Sequence, residues 1–306
     1  MRSRSPSSRT PPCGAQSSLE RGPKRSGGPQ LHRNRAVQQP RHEDGAPVSE
    51  DRSAAAAATR AVLDDFEAEQ RDLEALLRDL AGTEWSRPTP AVGWDVRDQV
   101  SHLADTEELA HDTATGGVRQ INVEVEQYPS GDAFTLAGCL RGRAMTPAEV
   151  LDWWTGAAAR NRAALRGLDP AARVPWGLGM GLRAFGAARI MEHWAHGLDI
   201  RAAVGRPGAD TRRLHHVAWI GARALPYALS VAGVDPPPGR TLRFDLVDPE
   251  GADWSFGPDD ATDRISGPMG EWCRLAVQRI GRDGTKALRS HGALADLALE
   301  NARAFL

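Results

Sequence analysis

The densest run of reactive side chains in this 306-residue chain is Glu192-His193-Trp194-Ala195-His196-Gly197-Leu198-Asp199. Glu192 and His196 are four residues apart, so on a helix both project from one face, one turn apart. A carboxylate and an imidazole placed this way can share one divalent ion, as paired helical ligands do in the metal sites of helix bundles. Asp199, a further turn along, is placed to accept the proton of the second imidazole nitrogen and orient the ring. His193, one step from Glu192, points about 100° away and is not expected on the same ion. A third ligand must come from another segment. His102 is the candidate, because it stands between Val100 and Leu103 beside an apolar stripe; His111, nine residues on, falls roughly on the opposite face. His102, Glu192 and His196 would make a two-histidine, one-carboxylate set with an open position. That is the pattern of a catalytic zinc site, and non-haem iron uses similar ligands. A plainer reading stays open for each: a bundle histidine can be a hydrogen-bonded core residue, and Glu192 with His196 a simple helical pair. His215 and His216 read as surface residues.

These residues need helices to hold them, and the hydrophobic spacing supplies them. Ala61, Phe66, Leu73, Leu76, Leu77 and Leu80 recur at helical intervals until Gly82. Asp95, with Asp98 three residues on, opens a second helix that runs through Val100, Leu103 and Leu109 to Gly116. Residues 117–145 show no clear period. Thr146-Pro147-Ala148-Glu149 is a capping box with proline at the first helical position, and its helix runs to about Arg166. A fourth helix spans Leu182 to Val204 and ends at Gly205. A fifth starts near Leu214, with Pro226 expected to kink it. Beyond Pro236-Pro237-Pro238-Gly239, the stretch Thr241–Val247 alternates like a half-buried strand and Trp254-Ser255-Phe256 reads as its return. Two more helices are expected, at about 268–281 and 291–305. The fold class is therefore α+β: a four-helix bundle over 53–208, then a small α+β domain over 209–306.

Residues 1–52 are rich in Ser, Pro, Gly and Arg and are expected to be a disordered basic tail. They carry 10 Lys+Arg against 5 Asp+Glu, which leaves 28 against 35 for the remainder, so the folded part is mildly acidic. That balance argues against a nucleic-acid partner. No run approaches the roughly 18 apolar residues of a membrane helix, and no apolar stretch follows the basic start as a secretory leader requires. Cys13, Cys139 and Cys273 share no metal or redox spacing, which suits a reducing cytoplasm.

Two segments resemble a known family. Trp94-Asp95-Val96-Arg97-Asp98-Gln99-Val100-Ser101-His102-Leu103 is similar to the second-helix signature of DinB-like metal-binding bundles, and Glu192 to Asp199 to their fourth-helix signature. The Phe244–Gly257 hairpin followed by Gly267-Pro268 resembles the C-terminal domain of the mycothiol-dependent maleylpyruvate isomerase family. The resemblance implies that His102, Glu192 and His196 hold a divalent metal, usually Zn2+, and that mycothiol is the thiol cosubstrate. It matches Arg279 to an arginine that the family's isomerases use for substrate or thiol. The implied activity is isomerisation or thiol transfer, with a metal-activated thiolate adding to a small electrophilic or anionic substrate. A non-catalytic metal-binding or ligand-sensing protein, and a metal-dependent hydrolase, are the alternatives.

Overall fold

In the computed structural model the described residues are 49–304. The tail expected over 1–52 lies outside them as far as residue 48, and Ser49–Arg52 already belong to the first helix. The bundle is built from α1 (Ser49–Arg78), α2 (Val96–Thr115), α5 (Pro147–Gly167) and α6 (Leu182–Val204). Between α2 and α5 the stretch without a clear period holds a single helical turn, α3 (Ile121–Glu124), and a true helix, α4 (Gly131–Arg143). A short ribbon of β1 (Arg173–Val174) and β2 (Met180–Gly181) leads into α6.

The caps explain where the site-bearing helices begin and end. Asp95 Oδ1 accepts the Asp98 N–H at 2.8 Å, and Asp98 Oδ2 accepts the Asp95 N–H at 3.1 Å. Such a box satisfies two orphan amides, and an N-cap of this kind is worth about 1 kcal/mol. Arg143 of α4 then grips Asp98 through two bonds of 2.8 Å, pinning the start of α2. Glycines in left-handed conformation close α2 at Gly116 and α6 at Gly205. Helix α6 is enclosed on nearly every side: Phe185, Ile190, His193, His196 and Ile200 point in different directions and all are buried.

After the bundle, α7 (Leu214–Ala232) continues through Pro226 without ending. It packs against α6 on one side and against α8 (Met269–Ala276) and α9 (Ala293–Asn301) on the other. A four-stranded sheet follows, in the order β4-β3-β5-β6, from β3 (Leu242–Val247), β4 (Asp253–Phe256), β5 (Asp263–Pro268) and β6 (Arg289–His291). Strands β3 and β4 form the expected hairpin, with Phe244 opposite Phe256. Strand β5 then lies parallel to β3 on its other side, with Phe244 opposite Ile265. The connecting loop crosses the start of β3 so closely that a Cβ on Gly257 would stand 2.3 Å from the Leu242 carbonyl oxygen.

The sequence pattern predicts a helix over about 268–281 and no strand at 263–268 or 289–291, whereas the structure has both strands and a shorter helix. Strand β5 alternates between Asp263 and Ile265 inward and Arg264 and Ser266 outward, and it ends in Gly-Pro; so weak an apolar signal reads as loop. Helix α8 stops at Ala276 because Gln278 takes φ 55°, a left-handed backbone that ends the helical run. One apolar cluster joins Phe66, Phe185 and Trp194 of the bundle to Leu214 and Val217 of α7 and to Phe244, Ile265 and Trp272 beyond it. A second cluster fills the other end of the bundle with Leu77, Val100, Leu103, Trp154 and Ile200. Burying each such side chain contributes about 1.5–3 kcal/mol. Among the described residues, no helix is long and apolar enough to cross a membrane.

Candidate metal centre

Helices α2 and α6 bring His102, Glu192 and His196 together, with one donor atom from each lying within 4.8 Å of the others. Glu192 Oε2 stands 3.7 Å from His102 Nε2 and 3.5 Å from His196 Nε2. Both gaps are too long for hydrogen bonds. They match donors sharing an ion, since two ligands about 2.1 Å from one tetrahedral zinc stand about 3.4 Å apart. Both imidazoles are buried, and Glu192 keeps 25% of its side chain exposed, so the cluster opens on the carboxylate side. The indole of Trp94 covers both rings, with centroids 5.3 Å from His102 and 6.2 Å from His196, nearly parallel to the latter.

The protonation of His196 follows from its neighbours. The Gln99 amide nitrogen donates to Thr89 Oγ1 at 2.9 Å and to Asp199 Oδ2 at 3.4 Å, which leaves the amide oxygen to face His196 Nδ1 in a short contact. An acceptor there places the proton on Nδ1 and the lone pair of Nε2 toward Glu192. Burial pushes the His196 pKa down to about 3, with His102 and Arg279 adding to the effect and Glu192 opposing it, so the ring is neutral at neutral pH. Burial of Glu192 works the other way, but the imidazoles of His102 and His196 and the charge of Arg189 hold its carboxyl well below the usual range. The imidazoles of His102 and His196 with one carboxylate are the donor set that a divalent transition metal takes.

Asp199, expected against the imidazole, sits one layer further back. The structure places Gln99 at that nitrogen, while the Asp199 carboxylate turns to Arg279 through bonds of 2.9 and 2.7 Å. A guanidinium fork outcompetes a single N–H for a carboxylate. Arg279 reaches there because the left-handed Gln278 redirects the chain just after α8. The arginine matched to substrate or thiol is thus tied to the rear of the site, and its Nη1 also donates to the Val277 carbonyl at 2.9 Å.

His193 belongs to a different group. Its Nδ1–H donates to the Arg189 carbonyl at 2.8 Å, and Nε2 accepts from Trp154 Nε1 at 3.3 Å and from the Gln70 amide at 3.1 Å. Burial lowers its pKa to about 4, against the pull of Glu107, so it is a neutral, fully bonded ring. Beside it, Arg189 meets Glu107 at 2.6 Å, and Asn161 donates to the other carboxylate oxygen at 2.7 Å. Arg189 also donates to Thr106 Oγ1, which in turn donates to the His102 carbonyl at 2.9 Å. Asp105 is equally engaged, with Arg119 at 2.9 Å and Arg141 at 3.2 Å. Neither acid is placed to act as a general base. Cys139 and Cys273 are buried, and burial pushes both thiols up.

Residues 66–201, from α1 to near the end of α6, match the family described as mycothiol maleylpyruvate isomerase N-terminal domain. The chain is 34% identical over 218 residues to uncharacterized proteins of two Mycobacterium tuberculosis strains, covering 70% of this chain and 84% of each relative. Its fold is also similar to two crystal structures of mycothiol-dependent maleylpyruvate isomerase, one of them a point mutant. The TM-score is 0.46 at 17% identity, over 78% of this chain and 92% of the other.

Proposed function

Since the chain belongs to the DinB-like family that carries the mycothiol maleylpyruvate isomerase N-terminal domain, we propose that it is a metal- and thiol-dependent enzyme acting on a small electrophilic or anionic molecule. His102, Glu192 and His196 are its metal ligands, and zinc is the metal their donor chemistry favours. A cation bound there supplies the Lewis acidity that keeps a thiol deprotonated at neutral pH. The remaining work falls to the protein. Gln99 fixes the His196 tautomer, Trp94 shields both imidazoles from water, and the Asp199–Arg279 pair anchors Gln99 from behind while bringing the α8 side of the molecule to the site.

By the family's chemistry the thiol is mycothiol. Its sulfur would add to an electron-poor double bond, to be expelled again in an isomerisation or kept in a transfer. Such a reaction needs no nucleophile from the chain, which fits the two buried, unionised cysteines. The observation that carries this reading is the triangle of His102, Glu192 and His196. Its donors are held at ligand spacing with no hydrogen bond from either imidazole to the carboxylate.

The test is metal content by plasma mass spectrometry on the wild type and on His102→Ala, Glu192→Ala and His196→Ala. Each variant is expected to lose one ion per chain, and unsaturated acids are then expected to turn over only when a thiol is present. A metal content that none of the three substitutions lowers refutes the site. Turnover without thiol supports the hydrolase alternative, and metal retention without any turnover supports a binding or sensing protein.

A further inference from the structure

A second convergence of metal-binding side chains lies where α1 meets the start of α7. Asp65, His215 and His216 offer donor atoms that all lie within 4.8 Å of one another. His216 is buried, and its Nε2–H donates to Asp65 Oδ2 at 2.9 Å, so an ion held here takes the place of that proton. The two imidazole centroids are 3.8 Å apart at an interplanar angle of 43°. Successive side chains on a helix leave it about 100° apart. Neighbouring rings this close have therefore turned toward a common point. His215 Nδ1–H donates to the Arg212 carbonyl at 2.7 Å, so its Nε2 is the nitrogen that keeps a lone pair.

The surroundings leave room for an ion and its water. Arg212 approaches Asp65 at Oδ1, 3.6 Å away, and leaves Oδ2 to the imidazoles. Beside the rings is a cavity of about 50 Å³, lined by Arg183, Ala187, His215, His216, Trp219 and Trp254. That is enough space for a water molecule.

We propose that Asp65, His215 and His216 form a second divalent-metal site, of the zinc class, whose open position faces this cavity and whose ion ties α1 to α7. It shares no residue with the cluster of His102, Glu192 and His196, so either site can stand without the other. Two imidazoles and one carboxylate suit zinc-like ions. Arg183, Arg212 and the positive end of α7 work against a cation, so this ion is held more weakly than the first and leaves first under a chelator. Because α7 joins the bundle to the sheet, an ion here stabilises the packing of the two halves by mass action.

The test uses the full chain loaded with Zn2+ and desalted. Two retained ions are expected in the wild type, one in His215→Ala and in Asp65→Asn, and one in the double variant His102→Ala/His196→Ala. In that double variant Co2+ should give visible d–d absorption, and a further His215→Ala should abolish it. His215 is half-buried at the surface, and circular dichroism checks that its variants fold. Zinc content unchanged by both His215→Ala and Asp65→Asn overturns the proposal. So does a single wild-type ion that disappears with His102 and His196, a result that would leave the first site intact.

Discussion

Helix α6 carries two buried polar groups within two turns, and they are built on opposite rules. Around Arg189 and His193, hydrogen-bonding atoms meet at distances of 2.6–3.3 Å, and each ring nitrogen and each carboxylate oxygen has a partner, with only the Asn161 amide oxygen left over. Around Glu192 and His196, the donors stand 3.5–3.7 Å apart. A polar group left unsatisfied in the interior costs about 1–3 kcal/mol. The first arrangement is what folding alone favours. The second leaves the Glu192 carboxylate and the facing imidazole nitrogens unbonded to one another, on the side where Glu192 meets solvent. Burial and residue type do not tell the two apart, since both contain imidazole and carboxylate. On this helix the spacing of their atoms does.

The sharpest way to break this comparison is to remove one member of the satisfied group. Arg189→Met strands Glu107 in the interior and should cost about 3–5 kcal/mol, read as a lower urea midpoint. Adding Glu107→Leu should recover most of it. A harmless Arg189→Met would mean that the pair is not the structural element described. Next in size is Gln99→Ala, which frees the His196 tautomer without touching a ligand. It should weaken metal affinity about 10- to 100-fold in a chelator competition and, because Gln99 is buried and bonded to Thr89 and Asp199, lower the stability read from the urea midpoint by about 1–3 kcal/mol.

Asp263 extends the comparison to the sheet. It is fully buried, bonds Thr262 Oγ1 and the N–H groups of Leu294 and Ala295, and pairs with Arg240 at 3.1 Å. Burial raises its pKa, but these bonds outweigh it and bring the group below its ordinary 3.8. The stability it contributes is therefore complete above that value and is lost as the pH falls through the lower folded value. Asp263→Asn should flatten the acid side of the stability curve, by roughly 1 kcal/mol. The smallest effect concerns the thiols. In a Cys13→Ser variant, Cys139 and Cys273 should stay unlabelled by a thiol reagent at mildly alkaline pH until denaturant is added.

Much of this organisation was legible in the chain, for reasons that can be named. Asp95 with Asp98, Thr146 with Glu149 and the terminal Gly205 are local signals, and the helices they bound lie where those residues place them. The convergence of His102 with Glu192 and His196 followed from helical spacing and from a family motif. Gln99 carries no signal of burial in the sequence, because a glutamine among polar neighbours reads as a surface residue. Its position three before His102 already put it on the same face of α2. The partner of Asp199 could not be read, because it depends on Arg279, 80 residues away, and on one left-handed backbone angle at Gln278. Strands β5 and β6 carry too few apolar residues to announce themselves, and only pairing with β3 and with each other defines them.

The buried pair of Glu107 and Arg189 has a consequence for the ribosome. Its members are 82 residues apart in sequence. At a synthesis rate of about 5–20 residues per second, roughly 4–16 s pass between making the acid and making its base. Throughout that interval α2 carries a carboxylate that cannot be withdrawn from water. The packing of the first three bundle helices around Glu107 is completed only when α6 has been made. A pause in translation within residues 108–188 would lengthen the time that Glu107 spends without its partner.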